Sequence, residues 1–238
     1  MPEQRKRRSD GERTREAIVR EAVSLATLDG LEGLSIGNLA AALEMSKSGI
    51  YAHFGSKLEL QLATVDEAER IFQAEVIAPA LDAAPGLAQL VAVCDAFFAY
   101  LVRRTFPGGC FLAGAVLEMG ARPGPVKEHV AAFQGRFAAV IRQFILTAIE
   151  QHELPADEDP DTLTFELNGI ILAANANFVL RDDAAALDMA SLVVRRRLGI
   201  TATAPTTTNH NKPRRSKPST RRQPSTPAGG TPLAAIPC

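Results

Sequence analysis

The stretch SIGNLAAALEMSKSGIYAHFGSK, residues 35–57, predicts two short helices joined by a tight turn, followed by the start of a third. Apolar residues recur at helical spacing across Ile36–Leu43, which predicts one buried face. Ser46 then stands where a helix N-cap is favoured. Ile50 and Phe54, four residues apart, share the inner face of the second helix. The other positions of that helix are therefore expected to face outward.

The outward face of this second helix carries small, basic and hydroxyl side chains. A short helix with such a face suits the major groove of DNA, where Lys47 and Ser48 would reach base edges or phosphates. Gly49 would let the backbone approach closely, and Tyr51 and His53 would bond phosphate oxygens. Taken singly, each residue also fits a capped surface helix in any helical bundle. The residues predicted to contact DNA are Ser35, Ser46, Lys47, Ser48, Gly49, Tyr51, His53 and Lys57.

Charge is distributed unevenly along the 238 residues, although the formal net charge of the whole chain is only -1. Residues 58–200 hold 11 basic and 19 acidic side chains, whereas residues 201–238 hold 6 basic and none acidic. Contact with a polyanion is therefore expected at the ends of the chain.

Three scattered cysteines predict neither a disulfide framework nor a metal site and favour a reducing cytoplasm. The N-terminus does not resemble a secretory signal, and the apolar runs are too short to span a bilayer.

Residues 35–60 resemble the DNA-binding domain of the tetracycline-repressor (TetR) family of bacterial regulators, and the match extends over roughly residues 10–62. Its most specific part is the Gly-Ile-Tyr-x-His-Phe-x-Ser-Lys pattern at residues 49–57. A weaker similarity to one subgroup of the family's C-terminal domains lies at residues 108–112 and 122–125. The resemblance implies an Ω-shaped homodimer whose two heads reach adjacent major grooves of a palindromic operator. It also implies a repressor that is released by an unidentified small molecule.

The helical periodicity predicts an all-α protein of about nine helices, with no strand pattern. Residues 1–8 are expected to form a disordered basic arm, which either enters a minor groove or is a solvated terminus. Residues 9–57 form the predicted helix-turn-helix domain, and residues 58–200 the predicted helical domain for effector binding and dimerisation. Residues 201–238 are a predicted disordered tail, basic and rich in proline and threonine. The tail is either a flexible tether to DNA or a tolerated extension.

An effector site in a helical bundle needs apolar walls and a few polar anchors. Phenylalanines supply most of the large apolar volume because the chain has no tryptophan, and most of them are expected in the core. A buried Glu118 or Arg104 would indicate the charge of the effector, since an unpaired buried charge is costly. The residues predicted for the effector pocket are Phe97, Tyr100, Arg104, Phe111, Glu118, Phe133, Phe137 and Asn168.

The segment 161–181 is apolar almost all round, so it must be covered on every side. One chain supplies limited cover, which predicts a four-helix dimer interface built from residues 161–198 of two subunits. The residues predicted at this interface are Leu167, Ile171, Ala174, Asn175, Phe178 and Leu192.

Cys110 follows two glycines near a predicted helix start, where a helix dipole can lower the pKa of a thiol. A redox-sensing role is therefore one hypothesis, and a small buried hydrophobe is the commoner explanation.

Four scattered histidines and the lack of a recognised catalytic motif predict no enzyme, no metal and no cofactor. The alternative function is an architectural DNA-binding protein that has no sequence preference and binds no ligand.

Overall fold

Nine helical rods make up the part of the chain that the structure describes. This computed structural model gives the backbone of residues 2–200 and the side chains of residues 10–200, so the tail predicted at 201–238 lies outside the described residues. Within residues 2–200 there is no strand, which confirms the all-α prediction. Two of the ten helical segments, α4 and α5, form one rod because a π-helical turn over Gln73–Ile77 joins them. The segments are α1 (Pro2–Gly33), α2 (Ile36–Ala42), α3 (Lys47–His53), α4 (Lys57–Phe72), α5 (Ala78–Leu81), α6 (Leu87–Val102), α7 (Phe111–Met119), α8 (Pro125–Glu150), α9 (Pro160–Arg181) and α10 (Ala185–Arg197).

The start of α1 differs from the prediction. The helix begins at Pro2, so the segment predicted as a disordered arm, residues 1–8, is helical from residue 2 onward. Glutamate, glutamine, lysine and arginine fill most of this segment, and these residues have good helix propensity. The helix breaks at Gly30, whose φ of 77° lies in the left-handed region, and one more helical turn follows it.

Three serines cap helices in the N-terminal head, which we define as α1 to α3 with α4 up to Ala63. Ser35, Ser46 and Ser56 each accept a hydrogen bond from the backbone N–H three residues further along, at 3.0, 3.0 and 3.1 Å. Each oxygen satisfies one of the N–H groups that a helix start leaves without a partner. The starts of α2, α3 and α4 are thus fixed by local sequence.

Two hydrophobic clusters lie along the described chain, and α4 contributes to both of them. The predicted domain boundary at residue 57 stays a prediction, but Leu60 and Ala63 pack in the head. Farther along α4, Val65 and Phe72 pack in the larger cluster, which fills the helical body from α4 to α10 and also includes Val23, Ala26 and Leu31 of α1. The head cluster consists of Ile18, Val19, Ala22, Leu34, Ile36, Leu39, Ala40, Ile50, Phe54, Leu60 and Ala63.

Phe72 lies at the centre of an aromatic group in the body. Its ring meets Phe137 edge to face, with centroids 5.0 Å apart and planes at 83°, and it meets Phe133 at 5.6 Å and 75°. Phe97 and Tyr100 lie 6.3 and 6.2 Å from the same ring. Edge-to-face contacts of this kind add to the free energy gained by burial. They join α4, α6 and α8 around one side chain.

Helix α9 is long and apolar enough to cross a membrane by length and composition alone, and it is the one described helix of which this is true. A core helix passes the same test. Leu163 and Leu167 of α9 are fully buried within the larger cluster. Packing in the body therefore explains the buried part of the apolar character of α9.

Gly108 makes the closest backbone contact between the loop before α7 and α1. Its N–H donates to the hydroxyl of Thr27 at 3.1 Å, and a Cβ at this position would overlap the carbonyl group of Thr27. We expect Gly108→Ala to lower the free energy of unfolding by about 1–3 kcal/mol, the usual range for overpacking. Urea denaturation followed by circular dichroism measures this change.

Gly114→Ala is the matched control for Gly108→Ala. Gly114 lies in α7, and a Cβ there would meet no atom within 4 Å. This substitution should raise stability by about 0.5–1 kcal/mol, because alanine is the better helix former. Equal effects of the two substitutions would contradict the close contact between Gly108 and Thr27.

Candidate functional site

The outer face of α3 is the first candidate surface. Lys47, Ser48 and Tyr51 are exposed on it, and 53% of Tyr51 is accessible. Ile50 is completely buried and Phe54 almost so, which fixes the orientation of the helix on the head. A cation, a hydroxyl and a phenol therefore lie together on a rigid surface.

The remaining residues of the predicted DNA surface are partly committed to the fold. Gly49, His53 and the capping residue Ser35 are half-buried, whereas the capping residue Ser46 is exposed. The hydroxyl of Ser46 accepts from the N–H of Gly49 and lies 3.1 Å from the hydroxyl of Ser48. Ser35 and Ser46 thus have a structural role at helix starts, and their contact with DNA stays a prediction.

Lys57 has protein partners that sequence reasoning did not predict. Its ammonium donates to the backbone carbonyl of Glu32 at 2.7 Å and lies 3.5 Å from the Glu32 carboxylate. The side chain is still 46% exposed, and an ammonium has three donors. Lys57 therefore ties the start of α4 to the end of α1 and keeps donor capacity toward solvent.

Arg15 of α1 contacts the residue that ends α3, and sequence reasoning did not predict this contact. Its guanidinium lies over the ring of Phe54, 4.9 Å from the centroid, just after α3 ends. The contact is a cation–π interaction between residues 39 positions apart. A pair so distant in sequence gives no periodic signal.

An apolar cavity of about 90 Å³ in the body is the second candidate site. It lies between α4, α6, α7, α8 and α9 and has two amide side chains on its wall. Three residues of the predicted effector pocket, Phe97, Phe137 and Asn168, line this cavity. The other lining residues were not predicted, and they are Phe72, Cys110, Leu112, Ala113, Val116, Gln134, Ile171 and Leu172.

Five residues predicted for the effector pocket lie elsewhere. Tyr100, Phe111 and Phe133 are buried in the core without lining the cavity, and burial raises the pKa of Tyr100. Arg104 is half-exposed, pairs with Asp182 and lies 5.1 Å from the centroid of Phe178. Glu118 faces the head. None of these five residues lines this cavity, because packing and partners distant in sequence orient their side chains, and their place in an effector pocket stays a prediction.

Glu118 joins the body to the head. Its carboxylate accepts from the N–H of Leu31 at 2.8 Å and from the N–H of Glu32 at 2.9 Å, directly after the break at Gly30. A Cβ on residue 30 would lie 2.9 Å from both carboxylate oxygens, so it would displace the carboxylate, and the φ of 77° itself favours glycine. The carbonyls of the same two residues accept from Gln61, at 2.8 Å, and from Lys57. We call this arrangement the Glu118 clasp.

The Cys110 thiol does not have the properties expected of a redox sensor. It is 4% exposed, and burial raises its pKa to about 11. The low-pKa hypothesis is therefore wrong, because loss of water outweighs the hydrogen bonds from the start of α7. Cys110 is a protonated, buried wall residue at neutral pH. Among residues 10–200 no cluster of histidine, cysteine and carboxylate side chains could hold a metal ion.

The residues predicted at the dimer interface face the chain's own core. Leu167, Ile171, Ala174, Asn175 and Phe178 are all buried within the single chain, and Leu192 is half-buried. Asn175 is engaged as well, because its side chain accepts from the N–H of Cys110 at 2.8 Å. The five buried residues therefore do not form an exposed contact surface in this chain, and a contact through Leu192 stays a prediction. A helix that is apolar all round does not reveal which face points inward.

The exposed apolar residues of α9 and α10 form a different surface, which we call the α9–α10 face. They recur three or four positions apart, so on each helix they share one face. On α9 these are Phe165, Gly169, Ala173, Ala176 and Leu180, and on α10 they are Ala185, Met189 and Val193. Phe165 and Leu180 are 81% and 82% exposed, respectively. A groove between the two helices includes Ala173, Met189 and Val193.

Two family models match the chain. The model for the N-terminal domain, described as bacterial regulatory proteins of the tetR family, matches residues 18–64. The model described as tetracyclin repressor-like, C-terminal domain, matches residues 86–193. Together they cover most of the described chain. The protein belongs to the TetR family.

Solved structures of TetR-family regulators share the fold. A regulator from Chloroflexus aurantiacus has a TM-score of 0.75 and 26% identity, over 80% of this chain and 96% of that chain. A regulator from Cytophaga hutchinsonii has a TM-score of 0.71 and 18% identity, over 82% and 98%. AibR in complex with isovaleryl coenzyme A and operator DNA has a TM-score of 0.63 and 23% identity, over 76% and 97%. No curated protein matches this TetR-family chain.

Glu118→Gln tests the clasp that holds this TetR-family head on its body. The amide keeps one acceptor oxygen but loses the charge, so one of two charge-assisted hydrogen bonds is lost and the other weakened. We expect the free energy of unfolding in urea to fall by about 1.5–3 kcal/mol. Glu128→Gln is the control, because Glu128 is exposed near the start of α8. Equal stability of the two variants would show that the clasp contributes nothing.

Proposed function

We propose that this TetR-family DNA-binding transcriptional regulator is a dimeric repressor of a palindromic operator, released by a small molecule that binds the body cavity. The observation that carries the proposal is the exposed cluster of Lys47, Ser48 and Tyr51 on the capped helix α3. A helix of this kind enters a major groove and contacts base edges with its N-terminal residues. A bacterial cytoplasm, where the DNA lies, is the compartment that fits this function.

Dimerisation would bring two copies of α3 onto one operator. The α9–α10 face supports this, because large exposed apolar patches mark protein–protein contact sites. Two such helix pairs would form a four-helix interface. Half-sites must then lie about 34–36 Å apart, so a small rotation of either head lowers affinity for DNA.

Release by an effector would act through α7. This nine-residue helix carries three cavity-lining residues, Leu112, Ala113 and Val116, and also Glu118 of the clasp. A ligand that shifts α7 would therefore change the hydrogen bonds that hold the end of α1. AibR, a neighbour of similar fold, is known in complex with both operator DNA and isovaleryl coenzyme A. It is a precedent for a DNA site and a small-molecule site in one protein.

Tyr51→Ala tests the DNA surface without disturbing the head, because the exposed Tyr51 side chain makes no hydrogen bond to another described residue. To choose the DNA, genomic fragments that the purified protein retains are sequenced. We expect these fragments to share a short palindrome, which is then used as the test duplex. If Tyr51 contacts a phosphate, its side chain should contribute equally to the affinity for every DNA sequence. Fluorescence anisotropy should therefore show about a 2- to 10-fold loss of affinity for the palindrome and for an unrelated duplex.

Lys47→Ala and Arg142→Ala test whether a positive charge on α3 contributes more to DNA binding than a positive charge elsewhere on the protein. Lys47→Ala should reduce the slope of log affinity against log salt by about 1, because one phosphate contact is lost. Arg142→Ala removes the same charge from α8, where Arg142 pairs with Asp161, and should leave the slope unchanged. Binding without sequence preference would favour an architectural protein, and unchanged affinity of Tyr51→Ala and Lys47→Ala would contradict the proposal.

Met189→Glu tests the proposed dimer. Met189 is 60% exposed in the groove between α9 and α10, and a charge there would be buried on association. We expect sedimentation to show a shift from dimer to monomer. Leu81→Glu is the control, since Leu81 is 58% exposed at the end of α5, outside the α9–α10 face. A dimer that survives Met189→Glu would place the interface elsewhere.

A further inference from the structure

We infer that the body cavity takes a small uncharged molecule, about one six-membered ring in size, that carries a hydrogen-bonding group such as a hydroxyl. This inference rests on the proposed function of the cavity and adds the chemical class of its ligand. It follows from the walls, from their two amides and from the volume.

The walls disfavour a charged group that is placed between them. Phe72, Phe97 and Phe137 form the inner side, at 2%, 1% and 4% exposure, and the other walls are mostly aliphatic. No lysine, arginine, histidine, aspartate or glutamate lines the cavity. Its one titratable wall group is the thiol of Cys110, which is protonated at neutral pH because burial raises its pKa to about 11. A carboxylate or ammonium on a ligand would lose its water without gaining a counter-charge.

Two amides give the cavity a limited polar capacity. The Nδ2 of Asn168 donates to the carbonyl of Thr164 at 2.9 Å, which leaves its Oδ1 as an acceptor. Gln134 is half-buried on the wall, and its amide offers a donor and an acceptor. One hydroxyl on a ligand can donate to one of these oxygens and accept from the Gln134 nitrogen. Further polar groups on the ligand would meet phenylalanine and aliphatic walls.

The volume and the aromatic walls set the size and shape. The cavity measures about 90 Å³, whereas an apolar cavity of about 150 Å³ holds benzene. One ring therefore fits once the half-buried side chains of Ala113, Val116 and Leu172 move apart slightly. Phe72 and Phe137 already meet edge to face, at 83°, and an aromatic ligand would extend this arrangement.

Four single-ring probes test the class: phenol, toluene, benzoate and benzamide, which is the uncharged isostere of benzoate. Isothermal titration calorimetry on the full chain at pH 7.5 should show saturable binding of phenol and weaker binding of toluene. Benzoate should bind at least about tenfold more weakly than phenol and benzamide, because its charge finds no partner. Benzoate binding as tightly as phenol, or no saturable binding of phenol, would overturn the inference.

Gln134→Leu and Val116→Phe locate the binding in this cavity. Gln134→Leu keeps the side-chain size. It should lower the affinity for phenol by about fivefold and leave the affinity for toluene unchanged. Val116→Phe fills the cavity and should abolish phenol binding. Leu117→Phe is its matched control, because Leu117 is the next residue of α7, is 68% exposed and does not line the cavity. Circular dichroism shows whether each variant is folded.

Phenol binding that Val116→Phe and Leu117→Phe both retain would overturn the inference, since the binding would then lie elsewhere. The calorimetry uses no DNA, so its result is independent of the regulator proposal. A protein that binds phenol in the cavity but retains no DNA fragment would contradict the proposed function alone. A protein that selects a palindrome but binds no phenol would contradict the ligand class alone.

Discussion

The carboxylate of Glu118 holds together the part of the molecule where head and body meet. It accepts two backbone N–H groups just after the break at Gly30, where the restarted helix has no carbonyl to receive them. A negative charge at a helix start is also favoured by the helix dipole. Gln61 and Lys57 of α4 donate hydrogen bonds to the carbonyls of the same segment. Leu31 and Glu32 of α1 are therefore bonded to both α4 and α7.

The sequence predicted those parts of the fold whose causes are local. Ser46 caps α3 through an N–H three positions away, and Ile50 and Phe54 point inward because they lie four positions apart. Neighbouring residues suffice for both results. Leu167 shows the opposite case, since α9 is apolar on all sides and its periodicity gives no inward direction. Only packing against the rest of the body separates the buried residues from the exposed ones.

The charged residues of the body show a second limit of sequence reasoning. Glu118 was expected to anchor a ligand, yet its partners on α1 are 86 and 87 positions away. Arg104 was expected in the same pocket, and its partner Asp182 is equally remote in sequence. Partners so distant leave no trace in spacing or composition. Phe97, Phe137 and Asn168 line the cavity as residue type suggests, but Tyr100, Phe111 and Phe133 have equally suitable side chains and do not, so residue type alone does not select the wall.

Under the proposed function, the magnitudes favour α7 as the element that responds to a ligand. Filling a cavity of about 90 Å³ gains at most about 2 kcal/mol, because the cost of about 24 cal/mol per Å³ applies to an enclosed cavity and this one is partly open. A hydrogen bond to a charged group such as Glu118 contributes about 1.5–3 kcal/mol. The two free energies are comparable, so a ligand that fills the cavity only when α7 moves could offset the loss of one clasp bond. Weaker coupling than this would leave the population of the DNA-binding state nearly unchanged, because a ligand shifts an equilibrium only by its differential affinity for the two states.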